Sequence, residues 1–267
     1  MQSKKIAIIG GGNLGTAIAE GLTSSGFIAP ADIMVTRRNV ANLQGLANKG
    51  IGTGDNNIDA VRFADVVILA VKPYQVQEIL TAIKNELVEG KHTLVSVVTG
   101  VFINDLDGMV EKRIAMFRAM PNTAIAIGQS MTCICHQHAT NQEVTYVSDM
   151  FNQLGKSVTI DENLMDASTV LGACGTAFAM RYIRANIQGG IEIGFDAATA
   201  SLIAAQTVMG AAELLLQRHT HPEQEIDKVT TPKGCTIAGL NEMEHRGFSS
   251  SLIRGLVASY KKITSGM

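Results

Sequence analysis

The chain has no tryptophan, and its other aromatic residues, 8 Phe and 4 Tyr among 267, are few. A protein that stacks single-stranded bases needs aromatic platforms and a basic groove. The groove is missing too, since Lys plus Arg number 22 against 24 for Asp plus Glu, a net charge of −2. No polyanion partner, nucleic acid included, is expected from that balance. Long hydrophobic runs are absent as well. The longest uncharged run of the C-terminal half, Ala197 to Ala212, is 16 residues long and includes Thr, Ser and Gln. A membrane span wants about 20 mainly apolar residues. Ile6 to Ile9 is too short for the apolar stretch of a signal peptide. These absences predict a soluble, cytoplasmic protein with no membrane partner.

Cysteine is scarce: Cys133, Cys135, Cys174 and Cys235 form no disulfide framework in a chain this long. Cys133, Cys135, His136 and His138 have the look of a metal cluster. In a strand, however, the two cysteines point to one face and the two histidines to the other. One ion would not collect all four, so core or edge-strand roles are expected and no metal site.

What is present begins at Lys5, with Lys-Ile-Ala-Ile-Ile-Gly-Gly-Gly-Asn-Leu-Gly. Ile6 to Ile9 suits a fully buried parallel strand. Gly10, Gly12 and Gly15 follow on the spacing G-x-G-x-x-G. The first permits a tight turn, the second lets a pyrophosphate approach the backbone, and the third lets the next helix pack closely. A helix from Asn13 to about Ser25 would aim its free N–H groups, those of Asn13 and Leu14 among them, at the phosphates. A dinucleotide site is expected here.

A second strand, Asp32 to Thr36, ends in Arg37 and Arg38. An acidic residue at this place would bind a ribose 2′-hydroxyl, whereas arginine suits the 2′-phosphate of NADP. The spacing then predicts a helix over Val40 to Lys49 and strands at Gly50 to Thr53, Asp65 to Val71, Thr93 to Val98 and Arg113 to Arg118. Further strands are expected at Met131 to Cys135 and Ser157 to Ile160, with helices over Gln75 to Leu87 and Asn141 to Leu154. Such alternation implies an α/β, Rossmann-type, doubly wound parallel sheet. Ligands of these sheets sit beyond the carboxyl ends of the strands, where Lys72-Pro73 and Pro121-Asn122-Thr123 fall.

At Asp161 the alternation stops, so the N-terminal domain is placed at 1–161 and a helical one at 162–267. Between Leu164 and Gln217 only six of 54 residues are charged. Helices apolar nearly all round need a cover. A partner subunit is the expected one; the alternative is that the three following helices sheathe them. Farther on, Thr230-Thr-Pro-Lys-Gly-Cys-Thr236 reads either as a carboxylate pocket made of exposed N–H groups or as an ordinary helix start, with Thr231 as cap and Pro232 at the first position.

Four segments resemble the pyrroline-5-carboxylate reductase family: Ile9 to Gly15, Ala70 to Pro73, Met120 to Thr123 and Val229 to Thr236. The last, running into Ile237-Ala-Gly-Leu-Asn-Glu242, is the most specific. The resemblance implies reduction of 1-pyrroline-5-carboxylate to L-proline, the last step of proline biosynthesis. It implies NAD(P)H as donor, which Arg37 and Arg38 narrow to NADPH with NADH as the alternative, and an all-helical C-terminal domain that forms a homodimer from which larger assemblies can be built. By that resemblance Thr236 is the catalytic residue facing the ring nitrogen, and Thr231, Gly234 and the local backbone form the substrate cradle, which Lys233 and Cys235 join by position. Asn57 falls on the adenosine side of the cofactor, Ala70, Val71, Lys72 and Pro73 beside the nicotinamide, and Asn122 and Thr123 near its amide. Lys233, Cys235 and the stretch Gly172-Ala-Cys-Gly-Thr-Ala177 depart from the family's usual residues. They leave two alternatives: an NADPH-dependent reductase of a different imine or keto acid, or a non-catalytic NADPH-binding protein.

Overall fold

Ile6–Ile9 (β1) is buried at every position, as a parallel strand covered on both faces requires. The computed structural model describes residues 4–265. The other strands are Ile33–Thr36 (β2), Gly52–Gly54 (β3), Val66–Leu69 (β4), Thr93–Ser96 (β5), Ala115–Met120 (β6), Ser130–Gln137 (β7) and Gly155–Thr159 (β8). They form one eight-stranded sheet in the order β3-β2-β1-β4-β5-β6-β7-β8. Between them run Asn13–Ser24 (α1), Gln44–Ala47 (α2), Asn57–Phe63 (α3), Val76–Ile83 (α4), Ile103–Val110 (α5) and Asn141–Asn152 (α6), with Met165–Ser168 (α7) after the last strand.

Alternation along the strands divides the core in two. Ile6 and Ile8 pack on one face with Ile18 and Leu22 of α1 and Val147 and Phe151 of α6. Ala7 and Ile9 pack on the other with Val61 of α3, Leu80 of α4 and Leu106 of α5.

The sheet is not parallel throughout, as the alternation had implied. β7 runs antiparallel to β6, pairing Met116 with Gln137 and Met120 with Cys133. The link between them is a short 3-10 turn, Thr123–Ile127, closed by Gly128 at φ +67. A parallel return needs a crossover of a dozen or more residues, which this link lacks. The expected helix over Val40 to Lys49 starts as a 3-10 turn, Val40–Leu43, held by the Asn39 side chain accepting the Ala41 N–H, and becomes α2 only at Gln44. Helices α3 and α5 were not foreseen. Asn56 caps α3 by accepting the Ile58 N–H at 2.9 Å, and Asp105 closes the start of α5 by accepting the Phe102 N–H at 3.1 Å.

The chain divides into compact units Met1–Ala173 and Cys174–Met267. Met165 of α7 packs into the core of the first unit. A π-turn, Thr169–Cys174, follows α7. The second unit comprises Gly175–Glu192 (α8), Ala197–Arg218 (α9), Pro222–Lys228 (α10), Cys235–His245 (α11) and Phe248–Thr264 (α12). Helix α8 has no buried residue and α9 has two, Ala200 and Ala204. The three following helices therefore do not sheathe this pair. Among the described residues, α9 is long and apolar enough to cross a membrane by length and composition. The helix continues past the uncharged run, which ends at Ala212, through Glu213 to Arg218.

Candidate active site

In the first unit, the strand order reverses between β1 and β4, and the crevice of a doubly wound sheet opens at such a point. Gly10 ends β1 with φ +113, and a Cβ there would strike the Ala70 carbonyl at the end of β4. Ala70 in turn donates its N–H to Ile9 O at 2.8 Å. The turn is therefore drawn against the β4 edge, which puts Ala70 and Val71 beside the glycine motif. Gly15 lies so close to the Gly10 carbonyl that a side chain would collide with it. Gly12 differs, since nothing lies within 4 Å of the place a Cβ would take. Gly12 and Asn13 are exposed, and no side chain caps α1. The first N–H groups of α1, those of Asn13 and Leu14, are left for an anion.

The end of β2 supplies a second wall. Thr36, 1% exposed, accepts the Gly10 and Gly11 N–H groups on its carbonyl at 3.1 and 2.8 Å. Its hydroxyl donates to Asn57 Oδ1 at 2.6 Å, which fixes Asn57 at the first turn of α3. Arg37 donates from Nη1 to Gly11 O at 2.9 Å, and Arg38 is exposed. Gly10, Gly12, Asn13, Leu14, Gly15, Arg37, Asn57 and Ala70 thus belong to one connected region. Thr36 and Gly11 were missed by sequence reading, although both sit inside the segments it singled out.

Lys72 and Pro73 follow Val71 into an exposed 3-10 turn, where the Lys72 N–H donates to Gln75 Oε1 at 3.2 Å. Asn122 is committed within its own turn. It accepts the Ala124 N–H at 3.0 Å, donates from Nδ2 to Gly172 O in the π-turn at 3.3 Å, and gives its backbone N–H to Ser130 Oγ at 3.1 Å. Its side chain holds the segment in place, and Thr123 beside it is exposed.

In the second unit, Thr231 is not the cap of α11. The cap is Gly234, in extended conformation and without a side-chain bond. Thr231, Pro232, Lys233 and Gly234 form a turn closed by the Gly234 N–H on Thr231 O at 2.9 Å, with Lys233 at φ +60. Gly234 has no room for a side chain, because a Cβ would approach Thr231 Oγ1 to 2.5 Å. The turn delivers Cys235 and Thr236 as the first two residues of an uncapped α11, so their N–H groups are free to hold a carboxylate.

No group of three or more potential metal ligands occurs among the described residues. Burial pushes the Cys135 thiol up to about 11, with the Glu162 charge adding to it, and burial also raises Cys133. Both stay protonated at neutral pH. β7 is an interior strand, flanked by β6 and β8, so neither cysteine lies on an edge.

A family model described as pyrroline-5-carboxylate reductase dimerisation matches residues 162–265, and one described as NADP oxidoreductase, coenzyme F420-dependent, matches residues 5–100. Pyrroline-5-carboxylate reductase 2 of Dictyostelium discoideum is 42% identical over 97% of this chain and 92% of its own length. The chain belongs to the pyrroline-5-carboxylate reductase family. A second reductase of that organism, pyrroline-5-carboxylate reductase 1, is 47% identical over 97% of this chain, which spans about half (49%) of that relative. The solved pyrroline-5-carboxylate reductase of Coxiella burnetii superposes with a TM-score of 0.93 at 26% identity, covering 99% of this chain and 98% of that one. A pyrroline carboxylate reductase of Plasmodium falciparum, solved with NADP bound, gives 0.85 at 25% identity, covering 98% and 97%. The glycine turn and the uncapped α1 described above fit a dinucleotide of the kind that relative carries.

Proposed function

We propose that this chain reduces 1-pyrroline-5-carboxylate to L-proline with NADPH as donor, as a homodimer formed through its C-terminal helices. The open approach at Gly12, beside the uncapped start of α1, is the observation that carries the cofactor half of this reading. Bound NADPH would supply the hydride that adds to the imine carbon. The N–H groups of Asn13 and Leu14 would hold its pyrophosphate, Asn57 its adenosine side, and Ala70 to Pro73 and Thr123 its nicotinamide side.

The substrate carboxylate would rest on the N–H groups of Cys235 and Thr236, with the Thr231–Gly234 turn beneath and the Lys233 ammonium beside it. Thr236 then presents its hydroxyl to the ring nitrogen. No His or carboxylate occurs in the stretch Thr230 to Thr236. The residues therefore position and hydrogen-bond, and the proton on nitrogen comes from the protonated imine or from water. The exposed apolar sides of α8 and α9 are the surface assigned to the second subunit, in preference to a membrane. The charged residues Arg181, Arg184, Glu192, Glu213 and Arg218 on these helices suit a protein partner better than lipid. Steady-state assay with pyrroline-5-carboxylate and each cofactor tests the reading. Turnover faster with NADPH than NADH supports it, and no turnover with either refutes it.

A further inference from the structure

The two arginines that end β2 are adjacent in sequence, yet they stand in different situations. Arg37 is tied at both ends. Its backbone N–H donates to Gly54 O at 2.9 Å, and its Nη1 donates to Gly11 O at 2.9 Å. Gly11 is buried, and its own N–H donates to Thr36 O at 2.8 Å. The peptide joining Gly11 to Gly12 therefore has its carbonyl held by Arg37 and its N–H held by Gly10 O at 2.9 Å. That peptide immediately precedes the free N–H groups of α1. Its orientation decides where a pyrophosphate can approach.

Arg38 has none of these ties. No hydrogen bond, ion pair or ring contact joins its side chain to a described residue, and it is exposed. Its backbone is nonetheless well placed, between Arg37 and Asn39, whose side chain accepts the Ala41 N–H at 3.2 Å. A guanidinium already donating to a backbone carbonyl gives up part of the fork that a phosphate needs, while an uncommitted one presents all of it.

We propose that the two arginines divide the work on the cofactor: Arg37 is a positioning residue that braces the glycine turn for the pyrophosphate, and Arg38 is the residue that pairs with the 2′-phosphate. This rests on the reading that the chain binds NADPH. Arg37 then acts on NADP and NAD alike, because both carry the pyrophosphate. Arg38 acts on NADP alone and sets the preference between them.

Calorimetric titration of the full chain with NADP⁺ and with NAD⁺ separates the roles without reference to turnover. Arg38→Ala should weaken NADP⁺ by about 10–100-fold, the worth of a charge-assisted pair, and leave NAD⁺ nearly unchanged. Arg37→Ala should weaken both by a common factor and keep their ratio. Should that variant fail to fold, Arg37→Gln retains an N–H donor for Gly11 without the charge, and it should also keep the ratio. Loss of the ratio in either Arg37 variant, or equal loss of both nucleotides in Arg38→Ala, would overturn the division. Titration with adenosine 2′,5′-bisphosphate and with 5′-AMP gives a second reading. The advantage of the bisphosphate should vanish in Arg38→Ala, and its persistence would also overturn the proposal. A wild-type chain that binds neither dinucleotide would instead defeat the cofactor reading on which it rests.

Discussion

Arg118 Nη1 and Glu162 Oε1 lie 2.7 Å apart, joining the interior strand β6 to the segment that follows the last strand. The Arg118 side chain is only 2% exposed, and the Phe102 ring stacks 4.7 Å from its guanidinium carbon. The same carboxylate oxygen accepts the Ile103 N–H at 2.7 Å, which anchors the start of α5. One carboxylate thus offsets a buried cation and holds a helix end. Removing it as Glu162→Ala should cost about 3 kcal/mol, the usual penalty for stranding one partner of a buried pair. The double variant Arg118→Met with Glu162→Leu should recover much of that loss, since it leaves no charge without a partner. Calorimetric melting of the three proteins checks both statements.

Two of the motif glycines, Gly15 and Gly12, should separate into a folding and a binding role. Gly15→Ala drives a methyl group into the Gly10 carbonyl, so it should lower the melting temperature of the unliganded protein. Gly12 has an ordinary φ of −85 and open space around its missing side chain. Gly12→Ala should melt like the wild type yet bind NADP⁺ at least about tenfold more weakly, because the methyl group occupies the phosphate approach. Equal melting and equal binding in Gly12→Ala would remove the pyrophosphate from this turn.

If the Thr231–Gly234 turn holds the substrate as proposed, Thr236→Ala should lower kcat more than it raises KM, by about tenfold in rate for one lost hydrogen bond that strengthens in the transition state. Thr236→Ser should restore most of it. Lys233 has the left-handed φ of +60 that favours glycine. Lys233→Gly should therefore hold or raise the melting temperature while raising KM for the substrate, with kcat nearly unchanged. An unaltered KM would mean that the ammonium does not reach the carboxylate.

Leu202, Met209 and Leu216 on α9 are 71%, 59% and 62% exposed. If a second subunit covers this helix, light scattering of the wild type at micromolar concentration should give at least twice the 28.4 kDa of one chain. Leu202→Glu should shift the protein towards the single-chain mass, because a buried carboxylate would have no partner there.

His92 is 2% exposed, accepts the Val88 N–H on Nδ1 at 2.7 Å and meets Val61 O through Nε2 at 3.2 Å. The first bond needs a bare Nδ1, so the neutral ring with its proton on Nε2 fits both. Burial lowers its pKa below the ordinary histidine value, with the neighbouring Lys91 charge adding to the effect. The unfolded chain therefore binds this proton more readily than the folded one. Stability from this site is complete above about pH 6.5 and declines as pH falls below it. Melting temperatures from about pH 7.5 to 5 should drop less steeply for His92→Gln than for the wild type, although the variant starts lower.

Local patterns made much of the cofactor unit legible. Val66–Leu69 is one unbroken apolar run, and Gly10, Gly12 and Gly15 act within a few residues of each other, so spacing alone was informative. The direction of β7 was not legible, because it depends on how few residues link it to β6. The Thr231-Pro232 pair has the composition of a helix start, yet Lys233 in the left-handed region turns the chain first and passes the cap to Gly234. The Arg37–Gly11 and Arg118–Glu162 bonds join residues 26 and 44 positions apart, and no periodicity records such a pairing.

The pairing of β1 with β4, Ile6 opposite Val66 and Ile9 opposite Leu69, joins two strands that both lie in the first third of the chain. Every residue assigned to the nucleotide crevice, from Gly10 to Thr123, precedes α8 and α9 in the chain and is made before them. A nascent chain can therefore close that crevice before the helices with exposed apolar sides exist. A nucleotide taken up at this stage would stabilise the half-made chain by mass action. Its later helices would then be released from a chain whose first half is already folded, which shortens the time their apolar sides spend beside unfolded polypeptide.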